Sequence, residues 1–125
     1  MTPTTLTAIT QQVEIYFDAL YHADSTRLRA IFHPNLTYFC ATTGDELALN
    51  LDDYLARVDK RVPPAQTGDA RDDRILEISM GGNIAHVKAS MTLMQRDYLD
   101  YLTFVKHDAA WRIVAKVFEY VPRED

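Results

Sequence analysis

A chain of 125 residues, 47% hydrophobic and 25% charged, has enough apolar material for one core and lacks the composition of a disordered segment. Its formal net charge of −5, with Lys and Arg scattered along the chain, argues against nucleic acid and against an anionic membrane surface as partners. A single cysteine, Cys40, excludes an internal disulfide.

No apolar run approaches the roughly 20 residues that a membrane helix needs. The opening MTPTTLTAITQQ has no basic stretch followed by an apolar one, so a cytoplasmic protein is expected. His22, His33, His86 and His107 are dispersed, without HxxxH or CxxC spacing, and neither a metal site nor a cofactor is expected.

Residues 4–21 read as a helix, with Leu6, Ile9, Val13, Tyr16, Phe17 and Leu20 at three- and four-residue steps and a start at Thr2 before Pro3. Asp24 or Ser25 caps a second, short helix carrying Leu28, Ile31 and Phe32, which Pro34 stops. LTYFCA, residues 36–41, reads as a short strand with Leu36, Tyr38 and Cys40 on one face, and TTGDE as a turn. Asn50 caps a third helix, LDDYLARVDKRV, whose first turn holds Asp52 and Asp53 and whose stripe is Leu51, Tyr54, Leu55, Val58 and Val62. Pro63–Pro64 ends it, and PPAQTGDA is a loop.

The remainder reads as sheet. Residues 74–80 place Leu76, Ile78 and Met80 on one face, and Gly81-Gly82-Asn83 signals a hairpin. Residues 84–94 alternate, with Ala85, Val87, Ala89, Met91 and Leu93 inward. Strands over 97–106 and 111–121 follow, joined by a turn at 107–110. Helices first and a meander afterwards imply one α+β domain over residues 1–125, three helices on a strongly curved antiparallel sheet. Helices on one face of such a sheet form a cone, whose open end is a mostly apolar cavity suited to a small-molecule ligand.

Alternation aligns Tyr98, Asp100, Leu102 and Phe104, which sets a carboxylate on a buried face. Desolvation there disfavours the charged form of Asp100 and equips it to donate a proton or a hydrogen bond at neutral pH. The plainer alternatives are an acid bonded to Tyr16 or to a backbone amide, or one reaching water at a strand end. Tyr16 lies on the first helix's stripe, where a tyrosine is commonly a core residue with a satisfied hydroxyl. Paired with Asp100, it would form a site for a carbonyl or enolate oxygen.

The segments YFDALYHADSTRLRAIFHPN (16–35) and DYLTFVKHDAAWRIVAKVF (100–118), with the element order above, resemble the NTF2-like (cystatin-like cone) superfamily and, within it, the lumazine-binding, SnoaL-related group. The resemblance covers nearly the whole chain and implies the cone fold and a homodimer. A more distant likeness to ketosteroid isomerase places Tyr16 at that enzyme's oxyanion tyrosine and Asp100 at its neutral carboxylic acid. It places Cys40 at the catalytic base, a role a thiol does not fill as a carboxylate does.

The expected site is therefore a pocket with Tyr16 and Asp100 as candidate catalytic groups. Cys40, Tyr38, Tyr54, His33, Leu102 and Phe104 are further candidate ligand contacts. Cys40 equally suits a small buried hydrophobe, His33 a helix end, and Tyr38 and Tyr54 ordinary packing. Lys116 is expected on the outer face, paired with an acid or at a dimer contact. Tyr101, Thr103, Val105, Val114 and Phe118 would make that face half apolar, suited to a two-fold dimer. Three functions stay open: a binding module for a small, flat, partly apolar molecule; an isomerase- or cyclase-type enzyme moving a proton next to a carbonyl; and a protein–protein interaction module.

Overall fold

Thr4 caps the first helix, α1 (Thr5–Tyr21), its hydroxyl accepting from the Thr7 N–H at 3.1 Å. The computed structural model describes residues 4–123, and the start expected at Thr2 and Pro3 lies outside them. Asp24 caps α2 (Ser25–Ile31). Asn50 caps α3 (Leu51–Asp59) by accepting from the Asp53 N–H at 2.8 Å. That helix ends three residues before its expected stripe does, and Val62 is 66% exposed. The expected loop contains one helical turn, α4 (Pro64–Thr67), closed by Gly68 at φ 71°, a left-handed conformation that favours glycine.

The strands are β1 (Phe32–Cys40), β2 (Leu47–Leu49), β3 (Asp72–Met80), β4 (Ile84–Leu93), β5 (Arg96–His107) and β6 (Ala110–Pro122), in the sheet order β2-β1-β6-β5-β4-β3. The layout is the expected α+β one, with a correction: β1 and β6 run parallel, the other neighbours antiparallel. β1 begins four residues earlier than expected. The residue before a proline is pushed out of the helical region, and Phe32 is already extended. Pro34 falls between Phe32 and Thr37, where the register with β6 shifts, so its missing N–H removes no ladder bond. The two-residue turns Met94–Gln95 and Asp108–Ala109 have both residues at positive φ, the arrangement whose twist matches flanking antiparallel strands.

All three longer helices pack on one sheet face. Ile9, Val13 and Leu20 of α1, Leu28 of α2 and Leu55 and Val58 of α3 meet Val87, Leu102, Phe104 and Ile113, all at 2% exposure or less. Each such side chain contributes about 1.5–3 kcal/mol relative to an exposed one. The inward set of β4 is as expected.

Two bulges overturn the alternation elsewhere. On β3, Leu76 has no partner between Ile75↔Ala89 and Glu77↔Lys88, so Leu76 is exposed while Ile75 and Ile78 are half-buried; Met80 keeps the inward phase opposite Ala85 and is exposed as the last residue of the strand. On β6, Val114 is the extra residue between Phe104↔Ile113 and Thr103↔Ala115. Inward positions therefore run Trp111, Ile113, then Lys116 and Phe118. The expectation that Lys116 and Phe118 lie on the outer face is corrected by this one residue.

Asp18 of α1 fastens the helical layer to the sheet. It accepts from Arg27 of α2 at 2.8 Å and from Arg71, just before β3, at 2.8 Å. The hydrogen bonds from Arg71 and Arg27 hold its carboxyl below the usual carboxylate range. A lowered folded value stabilises above the unfolded value near 3.9 and is lost as pH falls through the folded one. The side chain is 38% exposed, so solvent screening limits the effect. Asp18→Asn should cost about 0.5–1 kcal/mol at pH 7, read by urea unfolding. The gap to the parent protein should close below about pH 4; a gap unchanged at pH 3 would show that the ion pairs contribute nothing.

Candidate functional site

The bulge at Val114 brings together four side chains from four elements. Lys116 Nζ of β6 donates to the Tyr16 hydroxyl of α1 at 2.5 Å and lies 3.5 Å from the Tyr54 hydroxyl of α3. The Tyr16 hydroxyl in turn donates to Asp100 Oδ2 of β5. Lys116 Nζ sits 3.8 Å from the same carboxylate oxygen. Asp100 is wholly buried and Lys116 is 5% exposed.

Around the ammonium stand the rings of Tyr16, Phe118, Tyr54 and Tyr38, with centroids at 4.8, 5.0, 5.3 and 5.9 Å. Their negative faces compensate part of the lost hydration. Burial, then the charge of Asp100, raises the Tyr16 phenol well above its ordinary range, so it stays a neutral donor. Burial likewise raises Tyr54, and pushes Tyr38 up to about 12 against the pull of Lys116. Asp100 Oδ1 is the one buried side-chain polar atom without a hydrogen-bond partner among the described residues.

Beside this network is a cavity of about 60 Å³. Tyr38, Cys40, Met91, Tyr98 and Phe118 give it flat or apolar walls, and Lys116 forms part of its lining. Arg57, Arg61 and Arg96 also line it, as does one carboxylate, Asp45. Lys116 has three N–H groups and two phenol partners, which leaves one N–H without a protein acceptor.

Of the expected site residues, Tyr38 and Cys40 line the cavity, while Tyr16, Asp100 and Tyr54 stand behind Lys116. Tyr16 and Asp100 do pair, but the phenol proton goes to the carboxylate instead of into the cavity. Leu102 and Phe104 are core residues at 0% exposure. His33 is outside the group; it accepts from the Asn35 N–H at 3.0 Å and its ring meets that of His107 at 5.6 Å. Cys40 is 3% exposed, its Sγ 3.5 Å from the Thr42 hydroxyl. Lys116 and Phe118 are the cavity residues that sequence reasoning placed on the wrong face, and Lys116 is the one that carries a charge. Regular alternation turns it outward, and the only hint was a lysine between Ala115 and Val117 in an apolar strand.

Deleting one member of a buried ion pair strands the other, at about 3–5 kcal/mol, whereas deleting both is far cheaper. Lys116→Met alone should therefore destabilise by about 3 kcal/mol. Lys116→Met with Asp100→Asn should cost less than the sum of the single changes by more than about 1 kcal/mol, measured by urea unfolding. Strict additivity would show that the two groups do not interact.

The family described as "Putative lumazine-binding" matches residues 4–119. Aldolase FrzH from Cladobotryum sp is 26% identical over 108 residues, 86% of this chain and 85% of that protein. An NTF2-like protein of unknown function from Silicibacter pomeroyi superposes with a TM-score of 0.79 at 25% identity, covering 93% of this chain and 95% of its own. A ketosteroid isomerase-like protein from Erwinia carotovora atroseptica gives a TM-score of 0.74 at 13% identity, over 96% and 98% of the two chains, a likeness of fold alone. Match length and shared architecture agree: the chain is an NTF2-like protein of the family described as "Putative lumazine-binding".

Proposed function

We propose that this protein binds a small molecule in the cavity beside Lys116. The observation that supports the reading most directly is a buried ammonium with one unassigned N–H on the wall of an aromatic-lined cavity. Tyr38, Tyr98 and Phe118 offer faces for a flat, partly apolar body, and Lys116 an oriented donor. Pockets for drug-sized ligands run to about 300–1,000 Å³, so about 60 Å³ suits a compact group, or the inserted end of a larger one.

A second reading, proton transfer beside a carbonyl, draws on a specific arrangement. Lys116, backed by Tyr16 and Asp100, would polarise a carbonyl oxygen, and Asp45 is the carboxylate lining the same cavity that would take the proton. A 26% identical relative is an aldolase. Tyr16 and Asp100 then act through Lys116 instead of touching the ligand.

The test is a thermal-shift screen with pteridines, flavins, steroids and compact aromatic ketones, run beside Cys40→Leu, which narrows the cavity. A ligand at one hundred times its Kd adds about 2.7 kcal/mol, a rise on the order of 10 °C. The rise should shrink in Cys40→Leu while that variant's own melting stays cooperative. A rise unchanged in Cys40→Leu would move the ligand out of the cavity. For ketones that bind, exchange of the α-protons in D₂O, followed by NMR and abolished in Asp45→Asn, would distinguish catalysis from binding.

The outer sheet face carries Phe39, Tyr101 and Val117 at 39–42% exposure. A second copy of the chain is the partner proposed for it, since a two-fold contact covers both apolar faces at once. Light scattering should give twice the chain mass of 14.3 kDa, falling to one chain in Tyr101→Glu. A monomer in the unsubstituted protein would rule the dimer out.

A further inference from the structure

We infer that the ligand of this cavity is a compact carboxylate. The inference rests on the proposed binding role of the cavity and adds the charge of its occupant. Its ground is the distribution of unpaired arginines in an acidic chain. Among the described residues, Arg27, Arg29, Arg71, Arg74 and Arg123 each have a carboxylate at 2.6–3.3 Å. Arg57, Arg61, Arg96 and Arg112 form no such pair, and the first three line the cavity. With Lys116 they set four cations around a space that has one carboxylate in its lining, Asp45. Asp45 is engaged by the Tyr120 hydroxyl at 2.6 Å, and Arg96 stacks on the Tyr120 ring at 4.0 Å and donates to the Tyr98 hydroxyl at 3.4 Å. Asp100 answers the charge of Lys116. The arginines on the α3 side have no such answer.

The placement suits an acid with a short body. Arg57 in the last turn of α3 and Arg61, two residues past its end, both reach the cavity. Arg61 is near enough to draw down the phenols of both Tyr38 and Tyr54. A guanidinium grips a planar carboxylate through two parallel N–H···O bonds. The free N–H of Lys116 supplies a donor at the inner end, where a keto or hydroxyl oxygen on the acid would fall. A water needs on the order of 10–15 Å³ measured this way, so about 60 Å³ admits a body of roughly four or five such groups.

Isothermal titration and ¹H–¹⁵N NMR on the intact protein would test this with pyruvate and lactate, their neutral amides, and inorganic phosphate. Pyruvate or lactate should bind, with shifts at Tyr38, Cys40 and Phe118. The amides and phosphate should bind at least tenfold more weakly. Arg57→Gln, at an exposed position of α3, and Arg61→Gln, at a half-buried position just beyond it, remove no buried ion pair and should fold; each should weaken carboxylate binding about tenfold, the scale of one charge-assisted hydrogen bond. Raising salt from 50 to 500 mM should weaken it as well. Carboxylate affinity unchanged in both arginine variants overturns the inference, as does no carboxylate binding at millimolar concentration. Phosphate bound as tightly as the carboxylates overturns the choice of acid. A neutral pteridine or ketone that binds in a Cys40→Leu-sensitive way, alongside silent carboxylates, removes the charge preference and leaves the cavity's binding role standing.

Discussion

A lysine ammonium held away from water constrains the rest of this molecule. Burying a charge is expensive unless another charge and good hydrogen-bond geometry answer it. Lys116 finds its answer across the layers: a carboxylate from the neighbouring strand, one phenol from α1 and one from α3, with four rings around it. Each partner must come from its own element at the right depth. The network therefore couples the seating of two helices to the register of β5 on β6. Such a pair is weak evidence for stability, because an apolar replacement of both members is often neutral or better. Its position on the wall of a cavity gives it a reason that stability alone does not.

Val114 sets the geometry. A strand without a bulge would turn Lys116 and Phe118 outward and leave Ala115 and Val117 against the helices. Asp100 would then be buried without the ammonium that answers it, and the cavity would lose its buried cation. The extra residue reverses the second half of β6 while Trp111 and Ile113 keep their inward places in the first half. The same irregularity falls where parallel β1 loses its pairing between Phe32 and Thr37, so Pro34 is accommodated at the same place. A bulge that serves an inward lysine and a prolyl strand at once is a feature of the site.

Much of the fold was legible in the chain. The periodicity of Ile9, Val13, Tyr16 and Leu20, the caps at Asp24 and Asn50, and the alternation over 84–94 are local signals, and local physics decides them. The pairing of Tyr16 with Asp100 was also within reach, because a carboxylate in line with Leu102 and Phe104 needs a donor. What was hidden depended on contacts distant in sequence. Regular alternation cannot show a bulge on a strand that reads Arg-Ile-Val-Ala-Lys, since either face is acceptable to Val114 and Ala115. The phase error there reversed Lys116 and Phe118, and that on β3 reversed Leu76. The arginines of the cavity were invisible for another reason: Arg57 and Arg61 look like solvated residues until β5 and β6 close the space opposite them.

The charge of the cavity and the charge of the chain have opposite signs, and distance decides which governs a ligand. At physiological ionic strength the Debye length is about 8 Å, so charges farther than that from an approaching molecule are largely screened. The formal −5 of the whole chain is then a weak, diffuse term. At the cavity the nearest charged groups are Arg57, Arg61, Arg96 and Lys116 against one carboxylate, Asp45, and Lys116 is screened least because it is buried. An anion meets little attraction until it reaches the mouth and a steep one once inside. A neutral molecule of the same shape must displace water from three arginines without replacing their hydrogen bonds. On the proposed binding role, discrimination between the two would be made inside the cavity, where desolvation is greatest, and not in the approach.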